Sequence, residues 1–344
     1  MRGSVVLGQA PTAMKIIHFE RLPMPGGYSI ERLFRAVRNA MPEQFSVDVV
    51  RCETPYHSWW WLLKGIARAR ARAAEVNHIV GDVHYVALGL PGVHTILTVH
   101  DLNHLDALKG WRRSISRWLY FDLPLRRCRF VTTISDCTRE RLVRLFPFVA
   151  DKIMVIPDCV PDELASRPKV FNTGHPRILQ VGTASHKNLE RVALALKGVR
   201  CILHVVGRLS ETQLRRLEDC SVLYENSVNL SDEDVARAYE EADMVVFASL
   251  KEGFGLPIIE ANAVGRAVVT SNLSPMKEVA ADSACLVDPY DELSIRTGIR
   301  RVIEDDRYRE ALIEHGYENV KRFAADVVVG QYARLYEEVA AHSV

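Results

Sequence analysis

A chain of 344 residues is long enough for about two domains, each able to bury a core of its own. Apolar residues at 48% and charged residues at 25% exclude a disordered, fibrous or collagen-like chain. The 44 basic and 43 acidic residues are too evenly matched for a surface that tracks nucleic acid throughout, although residues 1–165 carry a net +6 and residues 166–344 a net −5. Seven scattered cysteines without a CxxC pair argue against a disulfide framework and a zinc knuckle, so reduced thiols are expected. No apolar run reaches the roughly 18 residues of a membrane span, and no export signal is evident.

Residues 1–13 lack pattern and precede Met14; they are set aside as a leader expected to be disordered. From Met14 the run Ile16-Ile17-His18-Phe19 leads into Pro23-Met24-Pro25-Gly26-Gly27, and Ile30, Leu33, Phe34 and Val37 follow at helical spacing, so the start reads as strand, glycine turn, helix. Short β-branched runs at 47–50, 94–99, 130–134 and 152–156 alternate with helical segments, which implies βαβ units and a parallel sheet. Pro157, Pro161, Pro168, Asn172 and Gly174 mark a linker. A second series of strands then begins with 177–182, 201–207, 221–225, 244–249, 267–271 and 284–288, and helical periodicity over 306–341 closes the chain. The expected organisation is an α/β protein with an N-terminal Rossmann-like domain over 14–165, a second over 166–325, and a helix over 326–344 reaching back to the first.

The most informative segment, Ser249 to Ala261, follows the strand MVVFA. Pro257 suits the first helical position, while Gly253 and Gly255 let the backbone bend and leave room for a ligand. Amides at a helix start favour an anion, and Glu252 and Glu260, with seven residues between them and Glu260 placed in the first helical turn, can accept hydrogen bonds from sugar hydroxyls. The same spacing also suits a plain loop beside an acidic helix start. His100 and His104 have a metal spacing on a helix, but a strand end is a poor place for that geometry, and Asp232-Glu233-Asp234 is an ordinary acidic helix start.

EGFGLPIIEA resembles the signature of the retaining glycosyltransferases of glycosyltransferase family 4. That resemblance covers nearly all of residues 14–340 and implies the GT-B fold, two Rossmann-like domains whose parallel sheets face a central cleft. It implies that Glu252 contacts the donor sugar, that Glu260 binds the ribose, and that the backbone of Gly253, Phe254, Gly255 and Leu256 faces sugar and diphosphate. Val181-Gly182-Thr183-Ala184-Ser185-His186-Lys187-Asn188 resembles the family's glycine turn followed by Arg-Lys-Asn, with Lys187 neutralising the diphosphate. Two departures stand out: His186 occupies a usual arginine position and Thr183 stands where some members have a second arginine, so either the diphosphate clamp is weaker or His186 supplies part of it when protonated.

Gly27 resembles the family's glycine loop near the donor phosphate, and His100 the histidine near the reacting sugar, with Asp101 placing the acceptor. The base is expected near Gly207, Arg208 and Val228. The resemblance implies a retaining, metal-independent hexosyltransferase without cofactor, acting in the cytoplasm on a nucleoside-diphosphate sugar, preferably GDP-mannose, and a glycan or lipid-linked acceptor of bacterial surface polysaccharide synthesis. UDP-glucose or another UDP-sugar, a nucleotide-sugar hydrolase or epimerase, and a non-catalytic binding protein remain as alternatives. Trp59-Trp60-Trp61, Lys64, Arg68, Arg70 and Arg72, with Trp111, Arg112, Arg113, Arg117, Trp118, Arg126 and Arg127, suggest a peripheral contact with an anionic inner membrane; the alternative is a core of aromatics under solvated arginines.

Overall fold

The computed structural model describes residues 13–22, 29–53, 59–103, 105, 109–161 and 163–342. The first sheet comprises β1 (Met14–Arg21), β2 (Phe45–Cys52), β3 (Val76–Ile79), β4 (Thr95–Val99), β5 (Phe130–Thr133) and β6 (Ile153–Val155), in the order β2-β1-β3-β4-β5-β6. The second comprises β7 (Arg177–Val181), β8 (Ile202–Val206), β9 (Tyr224–Ser227), β10 (Met244–Phe247), β11 (Ala267–Ser271) and β12 (Ala284–Val287), in the order β12-β11-β10-β7-β8-β9. Every pairing is parallel, with registers such as Ile16↔Val76 and Val246↔Val269.

β3, β4, β10 and β11 are buried along their whole length. This explains their reading as continuous β-branched runs: helices cover both faces of a parallel sheet, so neither side of these strands meets water. Each sheet is accordingly flanked by two apolar clusters. The helix Ala325–Ala341 belongs to the first sheet's packing: Val328, Val329, Tyr332, Leu335, Tyr336 and Val339 share a cluster with Ile16, Phe34, Val76 and Ile96. Their spacing puts them on one face of the helix. The Tyr336 hydroxyl lies 2.9 Å from His18 Nε2 and 2.8 Å from His78 Nδ1, so the helix is also held by a buried polar contact.

Topology fixes where a ligand can sit. In the second sheet the chain runs outward from β7 through β8 to β9, then returns to the other side of β7 with β10 and continues to β12. The turns leaving β7 and β10 therefore diverge and open a crevice at the strands' C-terminal ends. The Gly182 turn and the Leu250 to Gly255 turn are those two connections. The first sheet has the same break between β1 and β3, and its C-terminal ends contribute Asp82, His100 and Asp101 to the opposite wall.

Candidate functional site

A cleft of about 690 Å³ lies between the domains. Its lining brings together His100, Asp101, Gly182, Thr183, Lys187, Gly207, Arg208, Glu252, Gly253, Phe254, Gly255, Leu256 and Glu260, residues drawn from segments far apart in sequence. Val228 and His186 are not among its lining residues, and Gly27 and His104 fall outside the described residues. Leu250 N–H donates to the His186 carbonyl at 2.8 Å, which ties the two turns of the second domain together.

The turns after β7 and β8 are built by backbone conformation. Gly182 and Gly207 have φ of +94° and +137°, which only glycine adopts without strain. A short 3₁₀ turn, Ser185–Lys187, precedes Asn188, a left-handed residue whose amide donates to the carbonyls of Ala248 at 2.9 Å and Pro289 at 2.7 Å. Lys187 thus stands in a pinned turn, ahead of the helix Leu189–Leu196. Its ammonium reaches Glu252 Oε1 at 2.7 Å and lies 4.8 Å from the Phe247 ring centroid. The two residues singled out by separate motifs are partners, and both side chains are largely shielded from solvent.

His186 does not behave as a replacement arginine. Burial, with Lys187 adding to it and Glu252 opposing, holds its imidazole below the usual range, so it is neutral near pH 7. Thr183 turns inward, its hydroxyl donating to the Arg208 carbonyl at 2.7 Å while its own carbonyl accepts from Gln213 Nε2 at 2.7 Å.

The motif turn departs from the sequence reading in two ways. The helix begins at Leu256, so Glu260 is its fifth residue and lies beyond the first turn; burial and its partners, rather than the helix start, define its setting. Room at Gly253 serves the neighbouring domain: a Cβ there would stand 2.7 Å from the His100 carbonyl oxygen. The Gly253 carbonyl accepts from the Ser135 hydroxyl at 2.7 Å and from the Thr138 hydroxyl at 3.3 Å, across the cleft. Gly255, with φ +127°, is where the backbone itself requires glycine.

His100 ends β4 and sits at the cleft wall, its Nε2 2.9 Å from the Val80 carbonyl. A carbonyl only accepts, so Nε2 carries a proton and donates, leaving Nδ1 as the ring nitrogen not spent on this contact. Asp101 Oδ1 accepts from the Asn103 amide at 2.8 Å, making a tight turn at the rim.

Sequence reasoning missed Arg32, Asp158 and Tyr239. Glu260 is only 3% exposed: Arg32, from the first domain, pairs with its Oε1, and the Tyr239 hydroxyl donates to Oε2 at 2.6 Å. Asp158 lines the cleft, and burial pushes its carboxyl up to about 6. Asp232, read as a helix-start acid, also lines the cleft and pairs with Arg35 at 2.8 Å. Among the described residues no group of three or more His, Cys, Asp or Glu converges as a metal site.

A larger hollow of about 950 Å³ lies at the opposite, N-terminal ends of β5 and β6. Two of its cations are committed to the backbone, Lys152 to the Leu125 and Cys128 carbonyls and Arg127 to those of Ala87 and Leu90, and Arg126 pairs with Asp122. The interdomain cleft, which brings a helix start together with the paired carboxylates Glu252 and Glu260, is the better chemical site.

Comparison with known proteins agrees with this geometry. The model for Glycosyltransferase Family 4 matches residues 7–164 and that for glycosyl transferases group 1 matches residues 162–319. The chain is 26% identical over 265 residues to O-antigen chain mannosyltransferase B of Escherichia coli, covering 70% of each chain. It is 27% identical over 291 residues to the MMP alpha-(1->4)-mannosyltransferase of Mycolicibacterium hassiacum, covering 76% of this chain and 68% of that one. Among solved structures, HepE of Anabaena in complex with UDP and glucose superposes with a TM-score of 0.73 at 14% identity, over 94% of this chain and 99% of that one. With two consecutive family matches and a two-sheet architecture facing one cleft, the chain belongs to the GT-B glycosyltransferases that join a family 4 N-terminal domain to a group 1 C-terminal domain.

Proposed function

We propose that the protein transfers mannose from GDP-mannose, with retention of anomeric configuration and without a metal ion, to a hydroxyl of a glycan or lipid-linked glycan in surface polysaccharide synthesis. The observation that carries this reading is the convergence of Lys187, Glu252 and the amide end of the helix Leu256–Val264 on one interdomain cleft, with His100 on the facing wall. Likeness to two mannosyltransferases supports the choice of sugar.

In this reading the donor diphosphate lies between Lys187 and the backbone amides, which stabilise the charge that develops as the C1–O bond to phosphate breaks. Lys187 leaves or shares Glu252 as the sugar enters; Glu252 then accepts from sugar hydroxyls, and Glu260, which lines the same cleft, accepts from the ribose hydroxyls. The acceptor oxygen bonds to C1 on the face the diphosphate leaves, and its proton passes to the departing phosphate oxygen. His100 orients the sugar through Nδ1, Asp101 orients the acceptor, and closure excludes water that would hydrolyse the donor. A UDP-sugar is the second reading, favoured by the UDP and glucose named for the structural neighbour.

A peripheral membrane contact belongs to the same proposal. Trp111, Ile115 and Trp118 are exposed at i, i+4 and i+7 along one helix face, and Trp60, Trp61 and Leu63 are exposed on another helix. The helix Trp59–Arg72 and the segment Trp118–Asp122 both pack on the turn His84–Gly89, and arginines flank them. Among the described residues no helix is long and apolar enough to cross a membrane.

Calorimetry against GDP, UDP and ADP, with and without EDTA, tests the donor: binding of GDP that survives EDTA and is lost in Lys187→Ala is the expected result. Absence of binding to all three would leave a non-catalytic protein. NMR of the product's anomeric configuration then tests retention, and a covalent glycosyl-enzyme would refute the one-face substitution.

A further inference from the structure

The inference concerns Glu260 and rests on the reading above, in which this carboxylate receives the ribose of the donor. Both of its oxygens are engaged without a ligand, Oε1 by Arg32 and Oε2 by the Tyr239 hydroxyl. Tyr239 belongs to the same domain as Glu260 and is fully buried; burial, then the neighbouring Glu260, pushes its hydroxyl well above its ordinary value, so it remains a donor. Arg32 belongs to the other domain, 228 positions earlier in the chain. Its helix, Ser29–Asn39, buries Leu33, Phe34 and Val37 against the first sheet, so the guanidinium is carried by the N-terminal domain as a unit.

The pair is mostly dry. The Arg32 side chain is 11% exposed and that of Glu260 4%. One helical turn on, Arg35 makes a second crossing to Asp232, but that pair stands at a wetter rim, where ion pairs contribute little. A carboxylate offers about four lone-pair sites, so two bonds to protein leave capacity for a vicinal diol. What the two partners remove is rotational freedom: Glu260 can present its remaining lone pairs in one direction only. Because one of those partners arrives from across the cleft, that orientation exists only when the domains have closed.

We propose that Arg32 is a positioning residue that acts through Glu260, fixing the carboxylate for the ribose diol and making ribose recognition conditional on domain closure. A direct role on the diphosphate fits less well, since Arg32 faces two carboxylates, Glu260 and Asp232, whereas the glycine turn and Lys187 form the phosphate side.

The test measures dissociation constants of GDP and UDP, each beside its 2′,3′-dideoxy counterpart, for the full chain and the variants Arg32→Ala, Arg32→Gln, Arg32→Lys, Glu260→Gln and Arg32→Ala/Glu260→Gln. The unsubstituted protein is expected to prefer the ribo form about tenfold or more, the yield of hydrogen bonds to a charged group. That preference collapses in Glu260→Gln, Arg32→Ala and Arg32→Gln, falls no further in the double variant, and is partly restored by Arg32→Lys. Arg32→Gln, uncharged and less severely truncated, carries the same reading where Arg32→Ala impairs folding. Equal weakening of ribo and dideoxy forms in Arg32→Ala and Arg32→Gln, with the preference lost in Glu260→Gln, overturns this inference and leaves the donor assignment standing. A preference that survives in Glu260→Gln, or failure of both nucleotides to bind, overturns the ribose assignment and this inference with it.

Discussion

Replacing Gly253 by alanine tests whether the motif turn is an interdomain contact. The added Cβ would lie 2.7 Å from the His100 carbonyl oxygen, with Ile134 Cδ1 at 3.4 Å and Asp101 Cβ at 3.5 Å. His100 O is backbone at the end of a wholly buried strand and does not yield as a side chain tip would. The domains must therefore part by several tenths of an ångström, which lengthens the hydrogen bonds from Ser135 and Thr138 to the Gly253 carbonyl. Overpacking costs about 1–3 kcal/mol, and lengthening two neutral hydrogen bonds worth about 1 kcal/mol each forfeits about half of each, so the closed state loses about 2–4 kcal/mol. At about 1.4 kcal/mol per decade, that is a fall of roughly 30- to 1,000-fold in the transfer rate. Initial rates with the best donor, together with small-angle scattering, read the effect; the radius of gyration should rise while the thermal midpoint changes little, because neither domain's own core is touched. A rate within threefold of the unsubstituted protein at an unchanged radius would falsify the argument that this glycine serves closure.

Three further perturbations separate stability from site chemistry. Gly265→Ala places a side chain at φ +78° against the Tyr317 hydroxyl and should destabilise by about 2–4 kcal/mol in thermal unfolding, whereas Gly330→Ala, with open space around it in the last helix, should stabilise by up to about 1 kcal/mol; comparable midpoints for the two would refute the distinction. Tyr336→Phe strips the hydroxyl from between His18 and His78, leaving buried ring nitrogens unmatched, and should cost about 1–3 kcal/mol by urea titration, with earlier proteolysis at the C-terminal helix; an unchanged midpoint would count against the contact. Asp158 has its folded carboxyl raised to about 6 by burial, above the unfolded value near 3.9, so the folded state binds more protons between those values and its stability falls as pH rises from about 4 to about 6. Asp158→Asn should remove that slope and stabilise the protein at pH 7.5 by about 2–3 kcal/mol relative to pH 4; melting curves whose pH dependence matches the parent's would refute it.

The histidines of the first domain act in the opposite sense. Burial lowers His78 to about 3, with His100 adding to it, and lowers His18 well below its ordinary range. Both are neutral when folded, so the unfolded chain takes up more protons below pH 6.5 and stability falls as pH drops from there. The Asp158 slope is therefore best read as a difference between variant and parent across one pH series.

Much of this protein was legible as pattern. Fully buried parallel strands leave uninterrupted runs such as TILTV and MVVF, and a glycine turn beside each of the two critical strands marks where backbone must bend, so the alternation of elements and the segments holding Lys187, Glu252 and Glu260 follow from local chemistry. The tryptophans at 60, 61, 111 and 118 were ambiguous, because a helical aromatic stripe has the same spacing whether it faces core or solvent; tertiary packing leaves them outside. Only the assembled structure showed that Lys187 and Glu252 are partners, that Gly253 accommodates a carbonyl from the other domain, and that Arg32 reaches Glu260. These contacts join residues 65 to 228 positions apart. Sequence periodicity encodes how each element buries its own face, but the encounter of two side chains from separate domains depends on how two sheets are brought together over a cleft, which local spacing does not specify.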